Sequence, residues 1–183
     1  MQPRLAPLAE CPCARAVETV GEWWSILILR DALQGLTRFD EFERSLGIAP
    51  NMLARRLKHL TESGLFERRL YRERPKRFEY RLTQKGRDFF PVIAALVAFG
   101  NRHLAPEGEA LVLAERDGSR LVSPVMVDAE TLRPVTAETV IAHPGPRASA
   151  GMRQRLALMA GRQAAASDEI QGISGEASCV VSS

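Results

Sequence analysis

Residues 48–64, IAPNMLARRLKHLTESG, separate apolar from basic side chains at helical spacing. Pro50 indicates the start of a helix, because proline at the first helical position gives up only an N–H that has no partner there. Three leucines, from Leu53 to Leu60, recur three or four residues apart, which places them on one face. Gly64 is the type of residue that follows the last turn of a helix. The segment is therefore predicted to be a helix with one buried face.

The opposite side of this helix carries side chains suited to a DNA groove. Arginine pairs bidentately with guanine edges, asparagine with adenine, and lysine with phosphate. A solvated amphipathic helix is the alternative interpretation, because charged outer faces are common in soluble proteins. The candidate DNA contacts on or near this side are Pro50, Asn51, Arg55, Arg56, Lys58 and His59.

Three shorter segments precede this helix. Apolar spacing predicts helices over 14–20, 23–33 and 39–46, and the second is apolar nearly all round, which is typical of a central buried helix. Thr37 is the predicted N-cap of the third. Gly47 then makes a turn into the basic helix. This order predicts a helix-turn-helix, whose second helix enters a major groove.

The residues after the basic helix predict a hairpin. Strand-like runs at 65–71 and 78–82 combine apolar and charged residues, and the loop between them has Pro75 at its bend. A hairpin in this place makes the predicted unit a winged helix-turn-helix, whose wing follows the DNA backbone or enters a minor groove. The candidate DNA contacts of the wing are Arg72, Arg74, Lys76 and Arg77.

Positive charge is concentrated in this part of the chain. The 183 residues carry a formal net charge of only +3. Between Asn51 and Arg87, however, twelve basic residues stand against four acidic ones. Such a segment on a nearly neutral chain is typical of a protein with a polyanionic partner, and double-stranded DNA is the expected one.

The segment after the hairpin is predicted to be one long helix. Thr83 is placed to cap it, and Pro91 is expected to kink it. Its apolar surface is wider than a small domain needs for its own core, which predicts contact with a second copy of the chain. The residues predicted for the homodimer interface are Phe89, Phe90, Ile93, Leu96 and Val97.

The expected fold class is mainly α with small β (α+β), a winged helix-turn-helix domain with a β-rich C-terminal appendage. We predict that the winged helix occupies residues 8–104 and a small β-rich extension 105–146, with strands at 111–114, 121–128 and 140–143. At roughly 40 residues, the extension is too small to be stable alone. Residues 147–183 are predicted to hold a short helix, at 150–163, and a flexible tail.

Several classes of protein are disfavoured. The chain has no apolar run long enough to span a membrane and no signal peptide, so we expect no membrane partner and a cytoplasmic location. No phosphate-binding glycine loop, Ser-His-Asp order or carboxylate pair supports catalysis, so we expect neither an enzyme nor a cofactor. The three histidines lie far apart and a Cys-x-Cys pair supplies only two ligands, so no metal site is expected.

Several spaced motifs give the chain a family resemblance. They are a cysteine-proline opening at 11–12, Gly-x-Trp-Trp-x-x-x-Ile-Leu-Arg at 21–30, Arg-Phe-x-Glu-Phe at 38–42, Met-Leu-x-x-Arg-Leu-x-x-Leu at 52–60 and Tyr-x-Leu-Thr-x-x-Gly at 80–86. Over roughly residues 10–103 the sequence resembles HxlR-type bacterial transcriptional regulators, which are dimeric winged-helix proteins of MarR-like architecture. The resemblance implies a regulator, repressor or activator, that binds a pseudo-palindromic operator as a homodimer through its first and last helices.

Cys11 and Cys13 are the reactive candidates. Cys11 stands at a helix start with Arg15 nearby, and both the helix dipole and the guanidinium would lower the pKa of its thiol. The family resemblance implies that Cys11 occupies the position at which some members sense oxidants or electrophiles. An oxidant or small-molecule effector is therefore a candidate partner. The alternative is a small apolar residue in the dimer interface, because cysteine is often buried.

Two other functions stay open from the sequence. Winged helices sometimes bind proteins, in which case the basic face would be incidental. The extension over residues 105–146 could instead bind or convert a small molecule, with the winged helix as its platform.

Overall fold

The computed structural model describes residue 8 and residues 10–177, with side chains described as far as residue 163. Its helices are α1 (Pro12–Val20), α2 (Trp23–Leu33), α3 (Phe39–Leu46), α4 (Pro50–Glu62), α5 (Gln84–Arg87), α6 (Phe90–Leu104) and α7 (Ala150–Ala177). Its strands are β1 (Phe66–Arg72), β2 (Arg77–Leu82), β3 (Leu113–Ala114) and β4 (Leu121–Val122). The winged helix-turn-helix order expected from the sequence is confirmed.

The core forms around the leucine face of α4. Leu53, Leu57 and Leu60 are fully buried, and they belong to one cluster with Ile28 of α2 and Phe42 of α3. Complete burial of a leucine side chain contributes about 1.5–3 kcal/mol, so this face alone holds α4 firmly against the other helices. The predicted buried face of the basic helix is therefore confirmed.

Helix α2 is buried through its middle but not at its start. Ile28 and Leu29 are fully buried, whereas Trp23 is 65% exposed and stacks on Trp24 at 4.4 Å between ring centroids.

A buried carboxylate, which the sequence did not predict, joins α2 to α3. Asp31 accepts hydrogen bonds from Arg30 Nε at 2.8 Å and from Ser45 Oγ at 2.7 Å.

Glycines with positive φ stand at both ends of the basic helix. Gly47, with φ of 59°, ends α3, and Gly64, with φ of 74°, follows α4. At the second end the N–H of Leu65 donates to the carbonyl of Leu60 at 2.9 Å, and the N–H of Gly64 donates to that of Thr61. This is the Schellman arrangement, so the predicted end of the basic helix is confirmed.

The predicted cap of α3 is wrong, because Arg38 rather than Thr37 is the N-cap residue. Glu41 Oε2 accepts from the backbone N–H groups of Thr37 at 3.0 Å and Arg38 at 2.8 Å. These two bonds lower the pKa of the Glu41 carboxyl below its ordinary value. The carbonyl of Thr37 accepts from the N–H of Tyr80 at 2.7 Å and so joins the start of α3 to the wing.

Strands β1 and β2 form the antiparallel wing, and a compact joint connects its base to α4. Thr83 Oγ1 donates to the carbonyl of Gly64 at 2.7 Å and accepts from the N–H of Gly86 at 3.2 Å. A Cβ atom on Gly86 would lie 2.2 Å from the carbonyl oxygen of Leu65, so no side chain fits there. The Thr-x-x-Gly motif therefore locks the wing against the end of the basic helix.

The single long helix predicted after the wing is in fact two helices. Thr83 caps only the short α5, and the chain turns at Asp88 and Phe89 before α6 begins. Pro91 lies in the first turn of α6, where a missing N–H leaves no helical hydrogen bond unmade. Proline therefore helps to start a helix here and does not kink one.

The chain divides into two compact units, Met1–Val125 and Met126–Ser183. The first includes a second hairpin, in which β3 and β4 contribute only two residues each. The strand predicted at 140–143 is wrong, because the N–H groups of Thr139 and Val140 both donate to the carbonyl of Thr136 and form a turn. A β-rich appendage is thus not clearly formed.

The helix predicted at 150–163 is present as α7, which continues to Ala177. The prediction of a short helix is therefore wrong, because α7 includes much of the segment predicted as a flexible tail. The rest of that tail, residues 178–183, lies outside the described residues. Within the described part of the chain, no helix combines the length and apolarity needed to cross a membrane.

Candidate nucleic-acid interface

Helix α4 exposes one polar stripe opposite its leucines. Asn51, Ala54, Arg55 and Lys58 are all exposed, and they follow one another at helical spacing. Lys58 forms an exposed pair with Glu62 at 3.7 Å, which contributes little to stability and is easily replaced by a phosphate. The exposed stripe therefore presents an amide, a small apolar side chain and two cations to a partner.

Arg56 does not belong to this stripe, which corrects the prediction that it contacts DNA. It is 8% exposed, and its Nη2 lies 3.2 Å from Glu22 Oε1 at the start of α2. Successive residues of an α-helix are about 100° apart around the axis, so Arg56 cannot share the direction of Arg55. Helical spacing alone therefore predicts that Arg56 lies on a different side of α4 from Arg55. The prediction that Arg56 contacts DNA rested only on the chemistry of its side chain.

His59 is a second correction. Its ring is half-buried, and Nε2 lies 2.9 Å from the carbonyl oxygen of Thr19, which places a donated N–H in the hydrogen bond. Thr19 lies in the last turn of α1. His59 therefore connects α4 to α1 and is turned away from the exposed stripe. Pro50, by contrast, is exposed at the start of α4, and its contact with DNA stays a prediction.

The tip of the wing carries cations that form no ion pair with the described carboxylates. Arg72, Arg74, Lys76 and Arg77 are all exposed, and none of them forms an ion pair with an acidic side chain of residues 10–163. Near the base of the same hairpin two arginines are paired with glutamates. Arg69 lies 2.7 Å from Glu67, and Arg81 lies 2.8 Å from Glu79. The available positive charge of the wing is thus greatest at its tip.

Two arginines missed by the sequence analysis lie against aromatic rings of the wing. The guanidinium of Arg38 lies 4.9 Å from the ring centroid of Tyr71, and that of Arg68 lies 3.4 Å from the ring centroid of Phe78. Both arginines are exposed, and stacking on a ring orders a side chain that would otherwise be mobile. The contact between Arg68 and Phe78 could have been predicted from the register of the two strands. Arg68 pairs with Tyr80, and Phe78 lies two residues from Tyr80 on the same face of the hairpin.

The apolar surface predicted for the dimer divides into exposed and buried parts. Phe90 and Leu96 are 48% and 47% exposed, and Val97 is half-buried. Ile93 is buried within the chain and Phe89 packs against the core, so these two do not belong to the exposed face. The correction follows from the break before α6, because the turn directs Phe89 inward.

The two candidate reactive cysteines lie at the start of α1. Cys11 is the N-cap residue and is partly exposed, and Cys13 is exposed in the first turn. Both are free thiols. The described residues contain no group of three or more histidine, cysteine or acidic side chains that could hold a metal ion.

A helix-turn-helix with an exposed basic stripe and a cationic hairpin beside it defines a winged-helix DNA-binding protein. Comparison with known proteins leads to the same class. The sequence model of a protein family described as HxlR-like helix-turn-helix matches residues 19–108. The uncharacterized HTH-type transcriptional regulator Rv3095 of Mycobacterium tuberculosis is 40% identical over 144 residues, which cover 78% of this chain and 89% of that protein.

Two solved structures are similar over most of their length. The candidate transcription factor PA1374 from Pseudomonas aeruginosa is 56% identical, with a TM-score of 0.58 over 80% of this chain and all of that chain. The candidate transcription factor PA1607 is 41% identical, with a TM-score of 0.68 over 75% of this chain and 96% of that one. The chain belongs to the HxlR-like helix-turn-helix family of transcriptional regulators, which are DNA-binding proteins and not enzymes.

Truncation of the two neighbouring arginines of α4 should change the free energy of unfolding by very different amounts. Arg56→Ala should lower the free energy of unfolding by about 1–3 kcal/mol, because it removes a buried, ion-paired side chain. Arg55→Ala should change it by less than about 0.5 kcal/mol, because that side chain is exposed. Urea unfolding followed by circular dichroism measures both. Equal destabilisation by the two substitutions would contradict the placement of Arg56.

Proposed function

We propose that this regulator acts as a homodimer on a pseudo-palindromic operator in the bacterial cytoplasm. Each copy would insert α4 into a major groove and lay its wing along the adjacent backbone. The observation that carries the proposal is the combination of the exposed stripe on α4 with a wing tip whose cations have no ion-pair partner among the described residues. If α4 were only a solvated amphipathic helix, there would be no reason to expect a second cationic element, the wing tip, beside it.

The side chains of the stripe divide into two roles. Asn51 is suited to an adenine edge and Arg55 to a guanine edge, so these two would determine the base sequence. Lys58 and the wing-tip cations are suited to phosphates, which determine position and overall affinity but carry no sequence information. Each phosphate contact releases counterions, so binding should weaken steeply as salt rises.

Truncations in the two groups should change DNA binding differently. Arg55→Ala should cost about 1–3 kcal/mol at one operator position and relax the preference for that base. Lys76→Ala should weaken binding to all sequences alike and reduce the slope of log K against log salt by about one. Fluorescence anisotropy of labelled duplexes at several salt concentrations measures both effects.

Arg120→Ala is the matched control, because it removes an arginine that is paired with Glu115 outside the wing. It should leave the salt slope unchanged. DNA binding that is weak and insensitive to salt in the unaltered protein would contradict the proposal and favour a protein partner instead.

Exposed apolar side chains on α6 support the dimer. Phe90, Leu96 and Phe99 are each about half exposed or more. Val17 of α1 is 49% exposed as well. Exposed apolar side chains of this size, when several stand on the same helix, are typical of association sites. A second copy of the chain that packs against them would also supply the second recognition helix that a pseudo-palindrome requires.

A charge on this face should separate the subunits. Leu96→Glu is expected to convert a dimer to a monomer, because the carboxylate would be buried without a partner. Sedimentation velocity at micromolar concentration measures the state. Leu121→Glu is the control, since that leucine is 63% exposed in β4 and should tolerate the charge. A monomeric unaltered protein would contradict the homodimer.

We further propose that oxidation of Cys11 changes operator binding. Its partial exposure at the start of α1, the helix that also carries Val17, supports a site from which a thiol reaction alters subunit packing. An oxidant such as diamide accepts two electrons and two protons as two thiols join in a disulfide, here the Cys11 thiols of the two subunits.

Serine substitution tests the cysteine. Diamide should change the operator affinity of the unaltered protein and of Cys13→Ser, and this change should disappear in Cys11→Ser, as measured by anisotropy with and without subsequent dithiothreitol. A full diamide response in Cys11→Ser would exclude Cys11 as the responsive thiol.

A further inference from the structure

Two long-range contacts hold the inner side of α4 to the corner between α1 and α2. Arg56 Nη2 lies 3.2 Å from Glu22 Oε1, and His59 Nε2 lies 2.9 Å from the carbonyl oxygen of Thr19. Thr19 is in the last turn of α1, and Glu22 is the N-cap residue of α2. We define this pair of contacts as the α4 tie. None of its members is available for DNA.

The α4 tie ends at two neighbouring points, Thr19 in the last turn of α1 and Glu22 at the N-cap of α2. Val17, two residues before Thr19, is 49% exposed on α1. The path from one subunit's recognition helix to the other therefore runs through α4, the tie and α1. The leucines of α4 fix which side of the helix faces the core, but apolar contact is not directional and sets the tilt of the helix axis less tightly. An ion pair and a hydrogen bond have defined geometry.

We propose that Glu22 and Arg56 are positioning residues that determine the operator half-site spacing of this regulator. The inference rests on the proposed homodimer. By fixing the orientation of α4 relative to the corner between α1 and α2, the pair fixes the distance and angle between the two recognition helices. Half-sites of such dimers lie about 34–36 Å, or 10–10.5 base pairs, apart. One inserted base pair shifts a half-site by about a tenth of a turn, which a rigid dimer cannot follow.

Glu22 is the acidic partner of Arg56 in the described part of the chain. Arg56 Nε is buried and has no hydrogen-bond partner among the described residues, so the guanidinium depends on the Glu22 carboxylate. Removal of the carboxylate charge leaves α4 folded on its fully buried leucines but loosens its orientation. The variant is therefore expected to tolerate altered spacing and to keep its base preferences, because Asn51 and Arg55 are unchanged.

The test uses the full-length protein and an operator that it selects from a pool of random duplexes. Affinities are measured for that operator and for versions with one base pair added to or removed from the spacer. The unaltered protein should lose affinity at least about tenfold with either change, whereas Glu22→Gln should lose no more than about threefold. The double variant Glu22→Gln, Arg56→Met should behave like Glu22→Gln, because it removes the pair without leaving a buried charge.

Glu62→Gln is the matched control, because it removes a carboxylate from an exposed ion pair on the same helix. When the spacer is changed by one base pair, this variant should lose affinity by the same factor as the unaltered protein. Thermal unfolding shows whether Glu22→Gln and the double variant are folded. If they are, and they still lose as much affinity on a spacer change as the unaltered protein, the positioning role is overturned and the pair is only structural. An unaltered protein that is monomeric or does not select DNA would instead contradict the proposed function.

Discussion

The burial of the leucine face of α4 is the constraint on which the rest of the structure depends. Leu53, Leu57 and Leu60 have no solvent exposure, so the rotation of the helix about its axis is set by hydrophobic packing. Once that rotation is set, Asn51 and Arg55 must point outward. The outward direction of the DNA-facing side chains is thus a consequence of core packing.

The wing adds a second element whose charge is graded along its length. Glu67 and Glu79 neutralise arginines near the base, where the hairpin meets the core. At the tip, Lys76 and Arg77 have no acidic partner among the described residues. Paired charges near the base avoid repulsion between strands, and unpaired charges at the tip remain available to phosphates. The joint formed by Thr83 and Gly86 connects the base of this hairpin to the end of α4.

Much of the fold was predictable because each step is a local pattern. Apolar spacing located the first four helices to within two residues, and the runs of charged and apolar residues located both wing strands. Pro50 and Gly64 marked the ends of α4 because backbone geometry at helix ends is a property of single residues. The break before α6 was missed. A short helix followed by a turn has the same residue pattern as one continuous helix, and only packing against the core distinguishes them.

The amino-acid sequence alone determined the family, the order of elements and the location of the basic region, because these depend on composition and short-range spacing. Only the tertiary structure decided what each basic side chain does. Arg55 and Arg56 are adjacent and chemically identical, yet one faces solvent and the other is buried against Glu22. His59 likewise bonds to Thr19, 40 residues away in the chain. Partners so distant in sequence leave no local pattern, so their pairing emerges only when the helices pack.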